Sequence, residues 1–210
     1  MKHEEIIIIL DFGSQYTQLI ARRIREQKVF CEILPYNKDP ETYKDRNLKG
    51  IVLSGGPSSV FDQNAPVCTP EVFKLGVPVL GICYGLQLIG RLFEGEVRKS
   101  QKREYGKAFL HIDENDDLLF EVADNTVIWM SHGDYLSLLP PGFETLAHSE
   151  NIPFAAVGNP QKKIYGLQFH PEVAHTQEGK KILHNFLFRI CGCKGKWTTE
   201  SFIETAVAQI

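Results

Sequence analysis

The sequence predicts an α/β fold: three layers around an open, mostly parallel sheet, with antiparallel strands added to one side and a nucleophile elbow. Three features carry this reading. All-apolar runs alternate with stretches of helical periodicity over residues 6–93. Across residues 95–157 the pattern changes to short β-type runs broken by Gly, Asn, Asp and Pro. Cys83, with Gly81 two residues before it and Gly85 two after, stands at a strand-to-helix junction.

Taken in order, residues 6–10 (Ile-Ile-Ile-Ile-Leu) form a strand buried on both faces. Residues 15–26 form a helix, with Tyr16, Leu19, Ile20 and Ile24 at helical spacing and Ser14 as its cap. Strands follow at 29–34 and 50–53, then a short helix at 70–75. Val77-Pro78-Val79-Leu80 leads into the elbow, and residues 86–93 leave it as a helix. Short antiparallel strands are expected at 107–112, 126–130 and 154–157. The basic run Arg98-Lys99-Ser100-Gln101-Lys102-Arg103 reads as a solvated hairpin or as a docking surface for a partner domain. The segment from Lys163 to Glu172 begins as a strand, and His170 stands where that strand should end. A last helix spans 176–190, with Ile182, Leu183, Phe186, Leu187 and Ile190 on one face. Residues 202–210 read as an amphipathic helix, so the chain divides into a domain over 1–193 and a tail over 194–210.

At 210 residues and 43% hydrophobic content, the chain suits one large domain, or one domain plus a tail. A net charge of −3 argues against nucleic-acid or anionic-membrane partners. The apolar run at 6–10 follows Glu4 and Glu5 and is too short for a signal-peptide core or a membrane span, so a cytoplasmic protein is expected. The five cysteines are odd in number and show no framework pattern, which agrees. Cys191-Gly192-Cys193 invites a metal or redox reading. With no second Cys/His pair at ligand spacing, two plain thiols are expected and no metal.

The chemistry is read from three separated segments. In Gly81-Ile82-Cys83-Tyr84-Gly85 the sharp turn lifts the sulfur clear of the backbone, and the glycines remove Cβ atoms that would clash. The helix start directs free N–H groups at the sulfur, which favours thiolate. A buried structural cysteine is the alternative for this segment alone. Downstream, Pro171 keeps His170 extended, so His170 and Glu172 point the same way, an imidazole base with a carboxylate to orient it. Ser54-Gly55-Gly56-Pro57 follows a short apolar strand. It reads as a phosphate cradle, a plain tight turn or an oxyanion loop; the last is preferred, pairing N–H groups near Gly56 and at Tyr84. In open α/β sheets, sites lie at the carboxyl ends of strands, where these segments all stand.

The segments Ser54-Gly55-Gly56-Pro57, Gly81 to Gln87 and Phe169-His170-Pro171-Glu172 together resemble the class I glutamine amidotransferase family, with a Cys-His-Glu triad. The likeness runs from about residue 5 to residue 193. The stretches beginning Asp11-Phe12-Gly13-Ser14-Gln15, with Arg103-Glu104-Tyr105-Gly106 and Trp129-Met130-Ser131-His132-Gly133-Asp134, are similar to the amidotransferase domains of GMP synthetases. Leu86 stands where that family often has methionine, a volume-conserving change. The resemblance implies glutamine as substrate, with Cys83, His170 and Glu172 catalytic and Gly56 and Tyr84 forming the oxyanion hole. It also implies that Gln87 and a turn at Ser131, His132, Gly133 and Asp134 hold the amino-acid end. It implies no cofactor in this chain; ATP and Mg would belong to a partner synthetase (ATP-pyrophosphatase) domain whose SGGxDS-type loop is not among these residues. The rival readings are a stand-alone cysteine hydrolase acting on γ-glutamyl substrates and a non-catalytic docking module.

Overall fold

The computed structural model describes residues 5–115 and 117–198. A nine-stranded sheet runs in the order β2-β1-β3-β4-β9-β8-β7-β5-β6. Its parallel half contains β1 (Ile6–Asp11), β2 (Phe30–Pro35), β3 (Leu48–Leu53), β4 (Val79–Ile82) and β9 (Ile164–Leu167). Antiparallel pairing adds β8 (Ala156–Asn159), β7 (Glu144–His148), β5 (Glu96–Ile112) and β6 (Thr126–Leu138) beyond β9.

β1 shows why the layers form. Its side chains alternate between faces. Ile7 and Ile9 pack with Ile20, Ala21 and Ile24 of α1 (Thr17–Glu26) and with Ile182 and Leu183 of α3 (Gly179–His184). Ile6, Ile8 and Leu10 join the other core, with Leu86, Leu88 and Ile89 of α2 (Tyr84–Leu92). A strand apolar at every position therefore needs helices on both sides, as the unbroken isoleucine run predicts.

Several local expectations change. Ser14 does not cap α1: Tyr16 occupies the cap position, and the Ser14 hydroxyl accepts from Tyr16 N at 3.0 Å, shaping the turn before the helix. The helix expected at 70–75 is a 3-10 turn at Pro70–Lys74. The last helix starts at Gly179 and continues as a π-helical segment at Asn185–Ile190, with Ile182, Leu183, Phe186 and Leu187 buried and Ile190 only partly so.

The basic run is not a hairpin. It lies inside β5, whose pairing with β6 jumps from Lys99↔Asp134 to Glu104↔His132, so residues 100–103 bulge opposite Gly133. β7 has no strong alternation in sequence; it exists because β5 and β8 offer it partners on both sides. The tail helix expected over 202–210 lies outside the described residues. Just before them, Trp197 packs on Phe30 with ring centroids 5.9 Å apart, and its backbone N–H donates to the Lys28 carbonyl at 2.9 Å.

Candidate active site

β4 ends at Ile82 and α2 begins at Tyr84, so Cys83 alone makes the turn. It does so at φ 53° and ψ −103°, a region that costs a residue with a side chain on the order of 1–3 kcal/mol. The close approach explains both glycines. A Cβ on Gly81 would lie 2.6 Å from the Gly85 carbonyl, and one on Gly85 would lie 2.5 Å from the Leu53 carbonyl oxygen. Cys83 thus sits at the N-terminal end of α2, where the first N–H groups have no intrahelical acceptor.

His170 lies just past β9 and is buried. Its Nδ1 is 2.7 Å from Glu172 Oε1. A ring of hydrogen bonds holds its backbone: His170 N donates to Trp129 O at 3.1 Å, Trp129 N to Thr176 Oγ1 at 3.1 Å, and Thr176 Oγ1 to His170 O at 2.6 Å. Tyr16 meets the imidazole edge-on at 5.1 Å, and Arg23 Nε donates to the Glu172 carbonyl at 3.0 Å. Burial alone would push His170 down. The neighbouring Cys83 and Glu172 side chains outweigh that and raise it well above the ordinary histidine value.

The loop after β3 is tied to the loop after β1. Ser54 Oγ accepts from Phe12 N at 3.0 Å and donates to Gly55 O at 2.8 Å. A Cβ on Gly56 would collide with the Phe12 carbonyl oxygen at 2.7 Å, so this close crossing needs glycine. A Cβ on Gly55 would stand 3.2 Å from His170 Cε1 and 3.8 Å from Cys83 Cβ. The loop therefore borders both reactive side chains.

From the antiparallel side, β6 brings Ser131, His132, Gly133 and Asp134. The turn expected at these residues is instead the middle of a thirteen-residue strand, because β5 pairs along it. The Cys83 thiol donates to the Ser131 carbonyl at 3.7 Å. Gln87 spends its amide N–H on the Asp134 carbonyl at 2.6 Å, pinning β6 to α2. The Ser59 hydroxyl donates to the Asp134 carboxylate. Burial lowers His132 to about 4, with the His170 charge adding to the effect, so its imidazole is neutral near pH 7.

Together these segments enclose a cavity of about 740 Å³. Gly56, Cys83, Gln87, Ser131, His132, Gly133, Asp134 and His170 line it. Tyr84 and Glu172 do not. Tyr84 is buried with its hydroxyl donating to Pro66 O at 2.7 Å, so only its backbone N–H is available to the site. Glu172 stands behind His170. Sequence reasoning missed Ser59, Lys99, Tyr105 and Tyr16 as wall residues, and Gln168, whose amide lies 3.9 Å from the Cys83 sulfur. Gln168 alone carried a signal, its place two residues before His170. Among the described residues no three His, Cys, Asp or Glu side chains are grouped to hold a metal ion. Cys191 and Cys193 are buried free thiols, Cys193 pushed up to about 12 by burial.

The model of the glutamine amidotransferase class-I family matches residues 8–190. The chain belongs to the class I glutamine amidotransferase family. Among curated relatives, a GMP synthase (glutamine-hydrolysing) of Nostoc sp. is 55% identical over 206 residues, covering 98% of this chain and 38% of the relative. That of Ruminiclostridium cellulolyticum is 50% identical, covering 99% of this chain and 41% of the relative. The chain thus spans about two fifths of the length of such relatives. Among solved structures, a Thermoplasma acidophilum protein described as a GMP synthase subunit superposes with a TM-score of 0.82 at 31% identity, covering 91% of this chain and 96% of that one. A glutamine amidotransferase of Thermotoga maritima, at 20% identity and a TM-score of 0.70, shares the fold. The expected α/β amidotransferase fold is borne out, and no helix among the described residues is long and apolar enough to cross a membrane.

Proposed function

We propose that this chain is the glutaminase part of a GMP-forming enzyme. One observation carries the chemistry: Cys83, held in a strained elbow, lines the same cavity as His170, which is in turn 2.7 Å from Glu172. His170 takes the Cys83 proton, and the resulting thiolate attacks the side-chain amide carbon of glutamine. The N–H groups of Gly56 and Tyr84 meet the developing oxyanion. His170 returns the proton to the leaving nitrogen, and ammonia departs. Water, deprotonated by His170, then cleaves the γ-glutamyl thioester to glutamate and restores the thiol. Glu172 orients the imidazole and stabilises its cationic form.

The amino-acid end of the substrate lies along Gln87 and Ser131 to Asp134. Asp134, the carboxylate among the described residues lining the cavity, faces the α-ammonium group. Residues 1–193 are the amidotransferase domain, and 194–210 lead toward a synthetase domain that uses ATP and Mg to activate xanthosine monophosphate and aminate it with the released ammonia. The relatives' extra length supports this partner, since the chain accounts for 38% of the first of them. A cytoplasmic setting is in keeping with five unpaired cysteines.

The test is Cys83→Ala in the protein carrying its synthetase domain. Glutamine-dependent GMP formation should vanish while synthesis from added ammonium salt persists. Loss of both activities would make Cys83 structural and defeat the reading.

A further inference from the structure

We infer that Gln168 is a positioning residue that favours the thiolate form of the Cys83 sulfur over the thiol, by donating its side-chain N–H to it; this rests on Cys83 being the nucleophile. Gln168 has no solvent exposure. Its backbone N–H donates to the Ala155 carbonyl at 2.8 Å, and its Nε2 lies 3.9 Å from Cys83 Sγ. Its Oε1 is buried with no partner among the described residues. A buried amide with one unpaired atom is costly, and an apolar side chain of the same length would avoid that cost. The donor aimed at the sulfur gives the amide a reason to be there.

Two neutral neighbours of the sulfur act in opposite senses. The Ser131 carbonyl, 3.7 Å away, accepts only from the protonated thiol. The Gln168 amide serves as the donor, and its bond strengthens when the sulfur becomes an anion. When His170 takes the proton, the contact to Ser131 is lost and the one from Gln168 gains. Because the amide carries no charge and does not titrate, it favours thiolate at every pH. The titratable groups of the cavity around the sulfur are His170 backed by Glu172 just past β9, His132 and Asp134 on β6, Lys99 and Tyr105 on β5, and Tyr16 before α1. Gln168 acts beside them without adding charge.

The experiment measures alkylation of Cys83 by iodoacetamide against pH, with the modified peptide quantified by mass spectrometry. Gln168→Met keeps the length and removes the donor. Its alkylation midpoint should rise by about one pH unit, roughly tenfold less thiolate below the midpoint. Gln168→Glu keeps the shape and sets a carboxylate against the sulfur, so its midpoint should rise further. It also carries the test should Gln168→Met fail to fold. A parental midpoint in the folded variants, or slowing equal at all pH values, would overturn the inference. The readout needs no glutamine turnover, so it fails or succeeds separately from the proposed reaction, which glutamate release by the parent chain tests.

Discussion

His170 Nδ1 and Glu172 Oε1 lie 2.7 Å apart, with side-chain exposures of 5% and 0%. They stand two positions apart in sequence, so the pair needs little more than an extended Pro171 between them. Its surroundings come from elsewhere: Trp129 and Thr176 fix the backbone of His170, and Arg23 fixes that of Glu172.

Glu172→Gln should keep the fold and lower glutamine turnover by at least about tenfold, because the imidazole loses the charge that orients it and supports its cation. His170→Ala should lose more, since it removes the base itself. Glutamate release with circular dichroism as control measures this; parental turnover in Glu172→Gln would remove the carboxylate from the mechanism.

Strain at Cys83 predicts a stability difference unrelated to the sulfur. With φ at 53°, glycine is the residue best suited to the elbow. Cys83→Gly should therefore melt higher than Cys83→Ala, by about 1 kcal/mol or a few degrees. Equal melting temperatures would show that the elbow relaxes at little cost.

Gly85→Ala should damage both stability and activity. Its Cβ would enter the space of Leu53, 2.5 Å from the carbonyl oxygen and 2.8 Å from Cβ. Moving α2 off β3 is the relief available, at about 1–3 kcal/mol, and it carries Cys83 away from His170. Denaturant unfolding together with the Cys83 alkylation rate reads both effects. A variant as stable and reactive as the parent would contradict the contact.

The folded chain keeps His132 neutral down to about pH 4, whereas an unfolded chain takes up that proton near 6.5. Between those values the unfolded state holds more protons, so His132 makes stability fall as pH falls, with a slope of up to about 1.4 kcal/mol per pH unit. His170 acts in the opposite sense: its raised value adds stability that is fully present below about 6.5 and is lost as pH rises through its folded value. Comparing urea unfolding of the parent and His132→Gln from about pH 7 to pH 4 isolates the first effect. Identical pH profiles would show that His132 titrates normally in the fold.

What the sequence by itself determined is what short-range sterics and periodicity decide. Ile6 to Leu10 could only be a strand covered on both faces. Gly81 and Gly85 allow Cys83 a turn that other residues would block, and Pro171 sets His170 beside Glu172. The tertiary structure decided whatever depends on partners far along the chain. Ser131 to Asp134 carry turn-forming residues yet lie in β6, because the hydrogen bonds of β5 outweigh local preference. The basic run at 98–103 became part of a bulged strand for the same reason. Gln168 and Ser59 took their places at the site through contacts 85 and 75 residues away in sequence. No local pattern records such contacts, because they exist only once β4, β6 and β9 converge on one cavity.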